Sequence, residues 1–119
     1  MENANFGNYV REKREKLRET DSSFSLRQVA TRIGVEPSYL SKVERGDQPP
    51  PSEEKIKALA EDLNENPDVL LAMAGKVSSE LQEIIKQRPD LFSQLIKELK
   101  DLPDHAVLKI VREVRDGDW

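Results

Sequence analysis

The residues best suited to chemistry in this sequence lie in one short row: Ser38, Tyr39, Ser41, Lys42 and Arg45, interleaved with Leu40 and Val43. On a helix, Leu40 and Val43 are three apart and share a face. If that face is buried, the hydroxyls, the ammonium and the guanidinium point outward or sideways. Such a row offers hydrogen bonds to polar edges and to anions, without bond-making. Catalysis finds no comparable support. The chain has no cysteine and one histidine, His105, so thiolate nucleophiles, disulfides and multi-histidine metal sites are not expected. No glycine-rich phosphate loop, Gly-x-Ser-x-Gly or His-Glu-x-x-His pattern occurs, and most carboxylates fall on expected solvent faces. An enzyme, a cofactor and a metal are therefore not expected, and His105 reads as a surface residue.

The polar row must be held by the elements around it, and the stretch SLRQVATRIGVEPSYLSKVERG, residues 25–46, supplies them. Ser25 and Gln28 have the spacing of a capping box. Leu26, Val29, Ala30 and Ile33 recur at the period of one buried helix face. Gly34 meets the demand for positive φ where that helix stops, and Val35 plugs the corner. Pro37 at the first helical position opens the next helix, where its missing N–H costs nothing, and Gly46 stops it. Two short helices crossing steeply through a tight turn need a small residue at the crossing, and Ala30 is small. An outward polar helix held at a steep angle is what the major groove of DNA admits.

The remaining pattern is also helical. A first helix is predicted from about Asn5 to Thr20, with Phe6, Val10 and Leu17 inward and the stem of Lys13 or Arg14 filling the gap. A polar turn, Asp21 to Phe24, follows. After the stiff connector Asp47 to Pro51, Ser52 caps a fourth helix with Ile56, Leu59, Ala60 and Leu63 inward. Asn66 and Pro67 open a fifth, with Val69, Leu70 and Met73 inward and Gly75 at its end. Three more amphipathic helices are predicted, over about Ser79 to Gln87, from Pro89, and from Pro103. No internal repeat is evident.

The 119 residues carry a net charge of −4, unevenly spread. Residues 1–51 sum to +1 and residues 52–119 to −5. The charge run over residues 9–19 reads as a solvated helix face; Arg11, Lys13, Lys16 and above all Arg18 become phosphate contacts only if it lies along a polyanion. No apolar run approaches the roughly 18 residues that span a bilayer, and the N-terminus lacks a signal peptide's basic and apolar regions. A cytoplasmic protein, nucleoid-associated when bound to an operator and not membrane-bound, is expected.

Through the strings SLRQVATRIGV and SYLSKVERG, the chain resembles the XRE (Cro/CI-type) helix-turn-helix family over about residues 6–74. The resemblance implies an all-α fold: a five-helix lambda-repressor-like domain over 1–75, followed by a short helical segment over 76–119. It implies double-stranded DNA as partner, with the third helix in the major groove. Pro37, Ser38 and Lys42, with Glu36 at the helix start, fall at the family's base-contacting positions, and Lys42 is the best candidate to donate to guanine. Tyr39 is placed near a phosphate or a thymine methyl, Ser41 and Arg45 near phosphates, and Arg27 beside the phosphate that faces the second helix's N-terminus. Arg14 corresponds to an arginine that pairs with a glutamate, here Glu44; as an exposed pair it would contribute only ~0–1 kcal/mol, so its expected role is orientation. Two departures stand out. Leu26 replaces a frequent polar residue after the cap, and Pro37 has no backbone donor. Base readout then rests on few residues, and DNA shape contributes more.

The resemblance ends near Gly75. About forty residues in three helices rarely build an independent core. Phe92, Leu95, Ile96, Leu99, Val107, Ile110, Val111 and Val114 are expected to pair with the same segment of a second chain. This reading gives a homodimeric regulator, expected to repress, on a palindromic operator. The alternative is an antitoxin or adaptor whose last helices hold a protein partner. Trp119 fits either a partner contact or simple exposure.

Overall fold

The structure, a computed structural model, describes the backbone of residues 2–119 and the side chains of residues 5–119. The described residues form eight α-helices and no strand: α1 (Glu2–Arg18), α2 (Leu26–Ile33), α3 (Pro37–Glu44), α4 (Glu53–Asp62), α5 (Pro67–Met73), α6 (Ser79–Gln87), α7 (Pro89–Leu99) and α8 (Asp104–Asp116). A 3₁₀ turn, Ser22–Phe24, links α1 to α2. The chain divides into two compact units, one ending at Ser78 and the other spanning Ser79–Trp119.

The first unit is built from caps inward. Ser25 Oγ accepts from the Gln28 N–H at 3.3 Å, Ser52 Oγ from the Lys55 N–H at 3.4 Å, and Asn66 Oδ1 from the Asp68 N–H at 2.8 Å. Each satisfies a donor that the first helical turn leaves unpaired. The Ser25 box is not reciprocal in the expected way. Gln28 Oε1 accepts from the Ser25 hydroxyl, while the Ser25 N–H donates to the Ser22 carbonyl. The 3₁₀ turn has already taken the donor that the glutamine was expected to reach. Gly34 ends α2 at φ 77°, in the left-handed region that glycine enters without steric cost.

The core joins Phe6 and Val10 of α1, Val29, Ala30 and Ile33 of α2, and Leu40 and Val43 of α3 to Ile56, Leu59, Ala60, Leu63, Leu70 and Leu71. Burying each large aliphatic contributes roughly 1.5–3 kcal/mol. Gly7 lets α1 lie directly against α3. A Cβ there would stand 2.3 Å from the Val43 carbonyl oxygen and 2.6 Å from that of Glu44, so any side chain forces the backbones apart.

Several expected boundaries shift. α1 ends at Arg18, because the Thr20 and Asp21 N–H groups both turn back onto the Leu17 carbonyl. Pro103 caps α8 and is not its first residue. In α5, Val69 is 46% exposed and Leu71 is buried beside Leu70. A helix of two turns gives the apolar period too little length to fix its phase.

The second unit has no buried side chain. α6 and α7 touch each other. Leu91, Leu95 and Ile96 on α7, and Leu108, Val111 and Val114 on α8, are exposed, while Phe92, Leu99, Val107 and Ile110 are half-buried. Trp119 folds back on the end of α8, its indole N–H donating to the Val114 carbonyl at 2.9 Å. The ring passes 2.7 Å from where a Cβ on Gly117 would stand, so that glycine makes room for it, yet Trp119 remains 92% exposed.

Candidate nucleic-acid interface

The α2–turn–α3 segment presents one polar surface because its apolar positions are spent on the core. Leu40 and Val43 are buried at 1% exposure each. With that face fixed, Ser38, Lys42 and Arg45 are exposed, while Tyr39, Ser41 and Pro37 are half-buried. Glu36, at the N-cap, makes no side-chain capping bond and is exposed. Lys42 has no ion-pair partner among the described residues, so its ammonium is available to a ligand. After α3, the Asp47 and Gln48 N–H groups both donate to the Lys42 carbonyl, at 2.8 and 3.3 Å. They fix the helix end and leave the side chain free.

Arg27 lies on the exposed side of α2, in its first turn. The hydroxyl of Thr31, one turn on, donates to the Arg27 carbonyl at 2.9 Å, so the side chain takes no part in that bond. Arg27, Ser38, Lys42 and Arg45 are thus solvent-facing groups carried on two elements that the shared core holds rigid.

Arg14 and Glu44 stand behind this surface. Arg14 Nε donates to Glu44 Oε2 at 2.7 Å, and Nη2 donates to Oε1 at 2.9 Å. The guanidinium also donates to the Phe24 carbonyl at 3.1 Å and to Glu15 at 3.0 Å. One side chain therefore ties α1 to α3 and to the 3₁₀ turn. Read from sequence, the pair looks exposed and energetically modest. Both residues are in fact buried, at 3% and 4% exposure, because the close crossing at Gly7 brings α1 down onto the end of α3. The Glu44 hydrogen bond and charge hold the Arg14 pKa above its ordinary value against the opposing effect of burial. A paired charge at this depth contributes to defining the α1–α3 geometry, and leaving one partner alone is costly.

Other fixings have no sequence signature. Arg32 Nε and Nη2 donate to the two carboxylate oxygens of Asp62 at 2.6 and 3.0 Å, and Nη1 donates to the Ser23 carbonyl at 2.7 Å. The guanidinium lies 5.1 Å from the centre of the Phe24 ring. Asp62 raises the Arg32 pKa. Lys55 Nζ donates to the Ile33 carbonyl at the end of α2, a favourable place for a cation. Together these bonds secure the C-terminal end of α2 to both ends of α4 and to the 3₁₀ turn before α2. Partners thirty positions apart leave no trace in local periodicity.

Arg11 and Arg18 fall in the charge run that the sequence presents as a solvated face, with phosphate contact expected only beside a polyanion. They line a cleft with Arg45, Ser41 and Leu26, floored by the Arg14–Glu44 pair. Among the described residues, no group of histidine, cysteine, aspartate or glutamate could hold a metal ion, and no helix is long and apolar enough to cross a membrane.

No curated protein and no solved structure gives a significant match to the chain. A helix-turn-helix family profile matches residues 11–70, from the α1 charge run to the middle of α5. That span holds the rigid α2–α3 pair, its outward polar surface and the ion pair behind it, and by it the chain belongs to the XRE-type helix-turn-helix family of DNA-binding transcription regulators.

Proposed function

We propose that the protein is a sequence-specific repressor that binds a palindromic operator as a homodimer, with α3 in the major groove. The observation that carries this reading is the arrangement of α3: Leu40, Val43 and Glu44 are buried while Ser38 and Lys42 face solvent. Lys42 donates to guanine O6 or N7, and Ser38 adds a weaker contact that either donates or accepts. Glu36 stands at the helix start, where a carboxylate accepts from cytosine N4 and repels a nearby phosphate. Pro37 offers apolar contact alone, and Tyr39 reaches a phosphate or a thymine methyl. Ser41, Arg45 and Arg27 serve the backbone. With so few base donors, one protomer binds weakly. Two protomers on half-sites about 34 Å apart roughly add their free energies and impose two-fold symmetry on the site.

The dimer contact in this reading is the second unit. Leu95 and Ile96 of α7 and Val111 and Val114 of α8 are exposed at 45–60%; with Phe92, Leu99, Val107 and Ile110 they supply apolar faces for an isologous helical interface. Those same exposed faces support a second reading, in which α6–α8 grip a different protein and DNA binding is secondary, as in an antitoxin or adaptor.

Selection from a random duplex library at about 100 mM salt, with the solution mass measured in parallel, tests both. A palindromic motif together with a dimer mass is the expected result. A monomer that selects no motif favours the partner-binding reading. On the selected duplex, Lys42→Ala is expected to cost about 1–3 kcal/mol and to relax preference at one position per half-site. Equal loss on random DNA would make Lys42 a phosphate contact.

A further inference from the structure

The cleft between α1 and the end of α3 has an unusual distribution of charge. It encloses about 320 Å³ and is lined by four arginines against two glutamates, in a chain whose net charge is −4. Both glutamates are engaged by the buried arginine. Each carboxylate oxygen of Glu44 accepts from Arg14, and Glu15 Oε1 accepts from Arg14 at 3.0 Å. Arg18 reaches that same Glu15 oxygen only at 3.8 Å, with about half of each side chain in solvent. Arg11 is exposed and has no ion-pair partner among the described residues. Arg45 uses Nε on Asp47 at 3.1 Å and one Nη1 hydrogen on Ser41 Oγ at 2.9 Å, which leaves its Nη2 group without a partner among the described residues. Three guanidinium groups therefore line one opening with most of their donors unspent, opposed there by Glu15 and, on Arg45, by the exposed Asp47.

The ligand such an opening suits is a tetrahedral oxyanion. Guanidinium groups bind phosphate oxygens in paired, planar fashion. Leu26 at the side of the cleft removes water from part of its surface, which strengthens charge-assisted bonds. The Arg14–Glu44 pair fixes the floor of the cleft. The cleft also touches the first residue of α2 and Ser41 and Arg45 at the end of α3, so an anion seated there abuts the same two helices that carry the base-reading side chains.

We propose that Arg11, Arg18 and Arg45 together clamp a single backbone phosphate of the duplex and so set the register of α3 on its site. This inference rests on the DNA-binding reading and adds to it a specific phosphate site with donors from α1. The clamp positions and carries no sequence preference.

The test is the salt dependence of binding by the full chain, measured on the selected duplex and on an unrelated one. In the triple variant Arg11→Ala, Arg18→Ala, Arg45→Ala, affinity is expected to fall by the same factor on both duplexes. The slope of log K against log salt is expected to fall by about 1 per bound protomer. A fall of about 3 would mean three separate phosphate contacts, and an unchanged slope would mean none; either result overturns the shared clamp. So does a loss confined to the selected duplex. The triple lysine variant keeps the charge without the fork, and is expected to keep the slope while losing affinity on both duplexes; full wild-type affinity from it would overturn the clamp's geometry. It also serves if the alanine variant fails to fold. Wild-type protein that binds neither duplex would remove the DNA-binding reading itself, a result distinct from all of these.

Discussion

The two units of this molecule are made of the same material and reach opposite outcomes. Both are strings of short amphipathic helices opened by proline or a polar cap. In the first, Phe6, Val10, Leu40, Ile56, Leu59 and their neighbours are almost wholly removed from water. In the second, no side chain is buried, and Leu91 stands 64% exposed. Apolar content does not separate them. The first unit has small residues where helices must approach: Gly7 under α3, Ala30 on α2 and Ala60 on α4. It also has long-range polar ties, Arg14–Glu44 and Arg32–Asp62, that hold one arrangement. Among the described residues, the second unit's ion pairs join side chains no more than three positions apart, as in Lys86–Glu83 and Arg115–Asp116. Such pairs support a helix and say nothing of how it meets another. The difference teaches that an amphipathic helix specifies that it will be buried, while small residues and distant polar partners specify against what.

If that is right, the first unit is vulnerable at its ties. Glu44→Ala is expected to have the largest effect, about 3–5 kcal/mol lost from folding stability, because it leaves the Arg14 guanidinium buried without its counter-charge. Chemical denaturation monitored by circular dichroism measures it. A loss below about 1 kcal/mol, the range of an exposed pair, would erase the distinction between this tie and the local pairs of α6 and α8. The same variant tests how function depends on the tie, since α3 should lose its fixed angle and DNA binding should weaken even where the protein stays folded.

The second unit is expected to respond in the opposite way. Leu95→Asp on the exposed face of α7 should leave the unfolding of the first unit unchanged while weakening the proposed self-association by about 2 kcal/mol, the scale of an interfacial anchor. Sedimentation at several concentrations, paired with thermal unfolding, reads both. An unchanged dimer would move the contact away from α7, and a large loss of first-unit stability would mean that the two units do not fold independently.

Much of this contrast is legible in the sequence, and the illegible part has a physical cause. Ser25, Ser52 and Asn66 announce helix starts, and Gly34 announces a turn, because caps and positive φ are local demands met by local residue types. The polar row on α3 is legible for the same reason, since Leu40 and Val43 fix its phase. Gly7 is harder. Glycine inside a helix costs about 1 kcal/mol relative to alanine, which flags it as purposeful, but the carbonyls of Val43 and Glu44 that require it lie far along the chain. The burial of Arg14 and Glu44 follows from that crossing and is invisible without it. The basic cleft is hidden in the same way. Arg11 and Arg18 look like part of a solvated run until the fold sets Arg45 opposite them and spends the nearby glutamates on Arg14.

The smallest effect concerns a tie at the rim of the first unit. The Tyr9 hydroxyl on α1 donates to Glu65 Oε2, fifty-six positions away in the link between α4 and α5. That bond holds the Glu65 pKa below the usual carboxylate range and, with partial burial and the Glu65 charge, raises that of Tyr9. The signs define a window. Glu65 contributes stability above the ordinary carboxylate pKa and loses it as pH falls through its lowered folded value. Tyr9 contributes below the ordinary phenol pKa and loses it as pH rises through its raised folded value. The bond therefore stabilises the fold between the acid and alkaline limits. Tyr9→Phe is expected to cost about 0.5–1.5 kcal/mol at neutral pH, with the cost shrinking toward both extremes. Urea unfolding of both proteins across pH measures it. A cost that is the same at every pH would assign the Tyr9 contribution to ring packing, and would place α1 among the elements held by apolar contact and the Arg14 tie alone.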